Sequence, residues 1–383
     1  MRSTGSRAAT AALAVLVPLL PVPAHAAAPE RCTVPPGQPQ MGGEPWAQQV
    51  LNVKAAHRLT TGRGVVVAVV DSGVDFGNPQ LKGQGAGAFD LTRTGPADCA
   101  AHGTGVAGII AARQTTRAPF VGVAPGARIL SVKVAADAQD NSDLLMAKGI
   151  ITAVRKKARV INVSAQTGQD SKPLRQAVAY AVKHDVVVVA AAGNVDPEDT
   201  GTARPAYPAQ YEGVLSVGAV DSTGKVTAFS DVATRVSVVA PGVGVTSTWP
   251  GSGWSFEYEG TSFAAPFVSG VVALVRSAYP KMTAAQVIRR VEATADGSKG
   301  IGSGYGLVNP LQAVSAQVPA EPVTADARAV SMPVPVKEDG RPRNIALGVM
   351  GAALAAAAVA LAVGMTVPHG RRRRWAPGGH SPR

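Results

Sequence analysis

The chain has 383 residues, 46 % of them hydrophobic, and carries 37 Lys and Arg against 25 Asp and Glu for a formal net charge of +12. Between positions 27 and 313 the count is 26 Lys and Arg to 21 Asp and Glu, so most of the excess lies toward the two ends and is no nucleic-acid footprint. There are two cysteines, no Cys/His cluster with metal-ligand spacing, no His-Glu-x-x-His and no acidic loop dense enough for calcium, so neither a metal nor a cofactor is expected.

In chain order, Arg2 and Arg7 precede an apolar stretch over residues 8–22, and Ala24-His25-Ala26 offers a small-x-small cleavage site. Residues 1–26 are expected to be a secretory signal peptide. Residues 27–44 are rich in Pro, Gly and Gln and read as an extended N-terminal extension. Strands and helices then alternate through residues 45–313. Strands are expected at 65–70, 129–134, 160–163, 186–191, 214–217 and 236–239, and helices at 106–113, 143–156, 173–183, 262–279 and 284–295. Short apolar strands alternating with helices predict an α/β fold with a parallel sheet covered on both faces. Residues 314–344 are a Pro/Ala-rich linker with no helical period. Residues 345–367 run uncharged for about 35 Å of helix, enough for one C-terminal transmembrane helix. Arg371 to Arg374, in a basic tail over 368–383, mark its cytoplasmic end and place the folded domain outside the cytoplasm, on the cell membrane. Cys32 and Cys99, even in number and in an exported chain, are expected to pair, two free thiols being the alternative.

Four short motifs carry the chemistry. Asp71 ends the β-branched run 65–70, at the strand terminus where ligands gather in open α/β sheets. His102 opens His-Gly-Thr-Gly-Val-Ala-Gly, and Ser262 stands in Gly-Thr-Ser-Phe-Ala-Ala-Pro at the head of an apolar helix. Pro266 is expected in that helix's first turn, where proline is tolerated. Asn194 ends Ala-Ala-Ala-Gly-Asn after the strand at 186–191. A serine hydroxyl needs an imidazole to take its proton, and the imidazole needs a carboxylate to fix its tautomer. Asn194 and the Ser262 backbone N–H are the expected donors to a tetrahedral oxyanion. Alone, each motif is an ordinary turn or N-cap. Together, in the order Asp, His, Ser, they form an acid–base–nucleophile set. His57 and His184 fall outside these motifs and read as surface or packing residues.

In these motifs the chain resembles the subtilase family of serine proteases, over residues 45–310. The stretches Ser131-Val132-Lys133-Val134, Ile161-Asn162-Val163-Ser164 and Gly304-Tyr305-Gly306-Leu307-Val308-Asn309 extend the resemblance. It implies an endopeptidase acting on protein or peptide substrates through an acyl-enzyme. It also implies that Ser164, Ala165 and Gln166, with Ala192 and Gly193, bind substrate backbone. The family commonly has Ser-Leu-Gly where this chain has Ser164-Ala165-Gln166, so Gln166 should narrow or reshape the specificity pocket. Phe263 stands where many members have methionine. Leader, protease domain, linker, single helix and basic tail together resemble the mycosin branch, the membrane-anchored proteases of actinobacterial type VII secretion. That resemblance implies a type VII secretion membrane complex as partner, with secretion-associated proteins as substrates and a share in stabilising the complex. The alternative is a mainly structural subunit with weak or occluded activity.

Overall fold

The computed structural model describes residues 32–137, 142–195, 204–230, 233–298, 300–319 and 341–372. The expected signal peptide, and most of the linker and tail, lie outside these residues.

Seven strands pair in parallel. They are β1 (Val66–Asp71), β2 (Gly85–Asp90), β3 (Arg128–Lys133), β4 (Val160–Val163), β5 (Val187–Ala191), β6 (Val214–Val220) and β7 (Val238–Pro241), in the order β2-β3-β1-β4-β5-β6-β7. After β1 the chain goes to the edge strand β2 and returns through β3 beside β1, then crosses to β4 on the other side. The carboxyl ends of β1 and β4 therefore flank a topological switch point, the usual place for a ligand crevice.

Strand alternation sorts the core into two layers. Val67, Val69, Val160, Val187 and Val189 face α3 (His102–Ala111), α6 (Thr261–Ala278) and α7 (Ala284–Ala293). Ala68, Val70, Ile161, Val163 and Val188 face α4 (Asp143–Arg155) and α5 (Lys172–Lys183). Because both faces are covered, the strands are continuous apolar runs, which is why they were visible in the sequence. Helix α6 is apolar and long enough to cross a membrane but is 83 % buried, so it is the central core helix.

Several elements differ from expectation. The edge strand β2, Gly-Ala-Gly-Ala-Phe-Asp, has no apolar run and forms through pairing with β3. The strands β8 (Val245–Thr248) and β9 (Trp254–Tyr258) make a separate antiparallel pair. Short helices α1 (Trp46–Leu51), α2 (Val53–His57) and α8 (Pro310–Ser315) were also unexpected, and α8 carries regular structure past the expected domain end at 313. The largest difference is at α3, which starts at His102 and not at 106. Two glycines in its first turn argue against helix by propensity. Tertiary contact requires them. A Cβ at Gly103 would meet the Gly73 carbonyl oxygen, and one at Gly105 would sit 2.6 Å from the Tyr258 ring. Tyr258 in turn donates from its hydroxyl to Ala101 O (3.0 Å), the residue before the helix.

Cys32 and Cys99 are joined in a disulfide, with Cα atoms 5.2 Å apart. The bridge ties the extension to the loop before α3. Gln38 continues the attachment by exchanging backbone hydrogen bonds with Trp254 in β9 (2.8 and 3.0 Å).

Helix α9 (Arg341–Arg372) contains Ile345–Met365, 21 apolar residues of mean hydropathy 2.3 with none buried. At about 1.5 Å per residue this stretch spans roughly 32 Å, long enough to cross a bilayer.

Gly105→Ala tests the close packing of α3. Alanine favours a helix by up to about 1 kcal/mol, but its methyl would overlap the Tyr258 ring. A net loss of about 1–3 kcal/mol is expected, read as a lower denaturant midpoint at unchanged slope.

Candidate active site

Asp71, the last residue of β1, is 4 % exposed. Its Oδ1 accepts from the Ser72 backbone N–H (2.8 Å) and pairs with His102 Nδ1 at 2.8 Å. Its buried Oδ2 has no hydrogen-bond partner, so much of the carboxylate charge is left to be balanced by the imidazole. Burial by itself would lower the His102 pKa. The Asp71 charge, its hydrogen bond and the Asp98 charge outweigh that, and the imidazole titrates above its ordinary value. The Phe263 ring packs against the imidazole with centroids 4.7 Å apart, and Tyr258 stacks behind Phe263 at 4.2 Å. A bulky ring next to Ser262 thereby braces the histidine from the helix that carries Ser262.

Asp98 is a second buried carboxylate in this network, 3 % exposed. Its Oδ2 accepts from Thr104 N (2.7 Å) and Thr104 Oγ1 (2.6 Å), and its Oδ1 accepts from Ser72 Oγ (2.8 Å). Ser72 Oγ also accepts from Gly103 N at 3.1 Å. Asp98 thus fastens the first turn of α3 to the residue beside Asp71. Burial, and to a lesser degree the Asp71 charge, push its pKa up against the opposing hydrogen bonds. The neighbouring Ala97 carbonyl is held by the buried Lys133 ammonium at 2.6 Å. No motif in the sequence marked Asp98, whose role depends on where the loop folds.

Ser262 stands in the first turn of α6. Its carbonyl would ordinarily accept from the N–H four residues on, which is Pro266 and has none. Ser164 Oγ donates to that carbonyl instead, at 2.6 Å. Pro266 therefore lies one turn deeper than the sequence suggested, and the carbonyl it leaves open is the one through which Ser164, just after β4, is tied to Ser262. Asn162 extends the link. Its Nδ2 donates to Ser164 Oγ (2.9 Å), and its Oδ1 accepts from Ser269 Oγ on α6 (2.8 Å).

Asn194 is oriented by Thr261. Its Oδ1 accepts from Thr261 N and Thr261 Oγ1, both at 2.9 Å, which directs Nδ2 the other way. A Cβ built on Gly260 would sit 3.1 Å from Asn194 Nδ2 and 3.2 Å from Ser262 Oγ, so donor and hydroxyl flank one small hollow. Thr261 is a functional residue that the sequence placed inside the Gly-Thr-Ser motif without giving it a role.

A cavity of about 270 Å³ gathers Asp71, His102, Ser262, Asn194, Ser164, Ala165 and Gln166 along one wall or another. Ala191 also lines it, and Ala192 and Gly193, expected to bind substrate backbone, are buried residues that follow Ala191 in the chain. Gly193 N donates to Thr261 Oγ1 (3.2 Å), so it supports the Asn194 arrangement. Gln166 forms a reciprocal pair with Asn194, its Oε1 accepting from Asn194 N at 3.0 Å and its Nε2 donating to Asn194 O at 3.4 Å. The side chain bridges the ends of β4 and β5 across the cleft.

The chain matches the subtilase family profile over residues 62–308. It is 40 % identical to Subtilisin NAT of Bacillus subtilis subsp. natto over 236 residues, 61 % of each chain. It is 33 % identical to Mycosin-1 of Mycobacterium tuberculosis, with 87 % of each chain covered. Among solved structures, MycP1 with the N-terminal propeptide removed superposes with a TM-score of 0.66 at 32 % identity, covering 73 % of this chain and 99 % of that one. The MycP3 protease from the type VII (ESX-3) secretion system gives 0.63 at 32 % identity, covering 73 % and 92 %.

Asp98→Asn keeps the shape of the Ser72–Asp98–Thr104 cluster and removes one negative charge near His102. The His102 pKa, followed by NMR titration of its ring carbons, should fall relative to the parent. An unchanged midpoint would show that Asp71 alone sets the imidazole's basicity.

Proposed function

We propose that this chain, which belongs to the subtilase family of serine proteases, is a membrane-anchored endopeptidase that cleaves peptide bonds through Asp71, His102 and Ser262. One observation carries the reading. Asn194 Nδ2 and Ser262 Oγ flank a single hollow, in a cavity also lined by the imidazole that Asp71 holds.

In this mechanism His102 Nε2 takes the Ser262 proton as Oγ attacks the scissile carbonyl. Asp71 holds Nδ1–H and stabilises the imidazolium. The tetrahedral oxygen accepts from Asn194 Nδ2 and from the Ser262 backbone N–H at the amino end of α6, where free N–H groups and the positive end of the helix dipole gather. His102 then returns the proton to the leaving amine, and water repeats the sequence on the acyl-enzyme. Substrate backbone runs past Ser164, Ala165 and Gln166, with Gln166 restricting the neighbouring side-chain pocket.

The likeness to Mycosin-1 over 87 % of both chains, with an apolar helix in α9, supports the mycosin branch. On this reading residues 1–26 are a signal peptide, 27–44 an extension held by Cys32–Cys99, 45–313 the protease, 314–344 a linker and 345–367 the membrane span. The protease then faces away from the cytoplasm, acts on secretion-associated proteins and helps to stabilise a type VII secretion membrane complex.

Ser262→Ala should abolish labelling by a fluorophosphonate probe and lower peptide hydrolysis by several orders of magnitude, with the unfolding transition retained. Asn194→Ala should lower turnover about 10²–10³-fold, the loss seen when such a donor is removed from a subtilisin, a relative of this chain. Failure of the parent protein to label would favour the structural-subunit alternative. For topology, protease added to intact spheroplasts should digest or release the catalytic domain while a tag after Arg383 stays protected. A digested tag would reverse the orientation.

A further inference from the structure

The amino ends of the central strands carry charge of one sign. Arg63 precedes β1, Arg128 opens β3, Arg155 ends α4 with Lys157 following ahead of β4, and Lys183 ends α5 ahead of β5. All five are exposed. Backbone hydrogen bonds gather these segments on one edge. Arg128 N donates to Val65 O and Arg159 N to Val66 O, both at 2.9 Å, and Val187 N donates to Arg159 O at 3.2 Å. The acid among them, Asp185, is taken by Arg159 at 3.3 Å and by the buried Arg276 at 3.1 Å, so it does not neutralise the exposed bases. Lys156 is not part of the set, because its ammonium stands 4.5 Å over the Phe89 ring. Beyond β5 the edge adds Glu212 and Arg235, one of each sign.

The chain leaves the domain beside this edge. Helix α6 begins in the cleft at Thr261 and ends at Ala278, about 27 Å away along its axis. Near that far end Ser277 Oγ donates to Arg63 O at 2.9 Å and Tyr279 Oη donates to Val314 O at 2.7 Å. Arg290 Nη2 then holds Ala316 O at 2.5 Å. Only residues 317–340 separate this point from α9.

We propose that this basic edge binds the anionic headgroups of the membrane that carries the C-terminal helix, and so turns the cleft away from the lipid. The proposal rests on the membrane-anchored reading above. Headgroup phosphates match an array of exposed guanidinium and ammonium groups, each of which gains from a negative surface. The aromatic rings nearby are already packed, Tyr180 against His184 at 4.0 Å and Phe89 under Lys156, while a protein interface core is poor in the lysine that this edge carries. A short tether makes the contact intramolecular, so a weak attraction is enough to populate it.

The test uses the full chain in nanodiscs, with a fluorophore on Leu59→Cys, an exposed position between Arg58 and Arg63, and an acceptor dye on the lipid headgroups. The native cysteines are paired and do not compete for the label. A second label on Thr223→Cys, in the exposed turn after the carboxyl end of β6, reports the opposite side. Replacing about 30 % of a phosphatidylcholine bilayer with phosphatidylglycerol should raise energy transfer from position 59 severalfold and leave position 223 low. The rise should vanish in about 0.5 M salt, where screening shortens to a few ångströms. It should also vanish in the triple variant Arg155→Glu/Lys157→Glu/Lys183→Glu, whose peptide hydrolysis stays at the parent level. Equal transfer in both lipids, or a triple variant that behaves like the parent, overturns the proposal. So does a rise that appears only when an acidic membrane protein is added, which would assign the edge to that partner. A chain that is not retained by the nanodisc overturns the anchoring reading itself, and is scored separately by detergent-free sedimentation.

Discussion

Asp71 is a carboxylate almost removed from water at the end of the central strand, and a buried charge must be paired or heavily hydrogen-bonded to persist there. Its partner is His102, on a helix that has to come within hydrogen-bond distance of a strand end. That closeness dictates the composition around it. Gly103 and Gly105 have no room for a side chain, Ser72 bridges to the helix, and Asp98 accepts from the helix's first turn. Residues that are poor helix formers stand in α3 because its close approach to Asp71, Gly73 and Tyr258 requires them.

Ser262 is placed by a different device. A serine on a mobile turn would lose the geometric advantage that an oriented active site provides. Here α6 is anchored through the core, and its first turn is tied sideways to β4 by Ser164 and Asn162. Pro266 contributes by what it lacks, leaving the Ser262 carbonyl open to Ser164. Thr261 then directs its backbone and hydroxyl hydrogens to Asn194, so Asn194 and Ser262 are oriented from adjacent residues.

The disulfide brings the extension into this arrangement. Cys99 is next to Asp98, so the bridge to Cys32 restrains the same loop that Lys133 holds at Ala97. Closing a loop of this length removes roughly 4 kcal/mol of unfolded-chain entropy in the simplest treatment, before any cost in the native state. The extension is therefore coupled to the active-site face while its backbone pairs with β9, outside the main sheet.

The sequence by itself determined the parts whose signal is local. Apolar β-branched runs gave β1, β3, β4, β5 and β6, because strands buried on both faces must be apolar throughout. The residues Asp71, His102, Asn194 and Ser262 were legible because four short motifs in a fixed order carry information that no single one does. The uncharged helix after the linker was legible from length and hydropathy alone. Tertiary structure decided the rest. Strands β2 and β8 have little apolar pattern and form only because a partner strand supplies their hydrogen bonds, and β9, whose Trp-Ser-Phe-Glu-Tyr alternates over only five residues, forms by pairing with β8. The start of α3 at His102 contradicts its own glycines and is set by Asp71, Tyr258 and Asp98. That Ala191 lines the cavity and that Gly193 donates to Thr261 depends on how the chain turns after β5. Asp98 and Thr261 had no signature, since a carboxylate or hydroxyl acquires its role from the groups that folding places around it. The basic edge is likewise absent from any local stretch, because its members are spread from position 63 to position 183 and meet only where the strands begin.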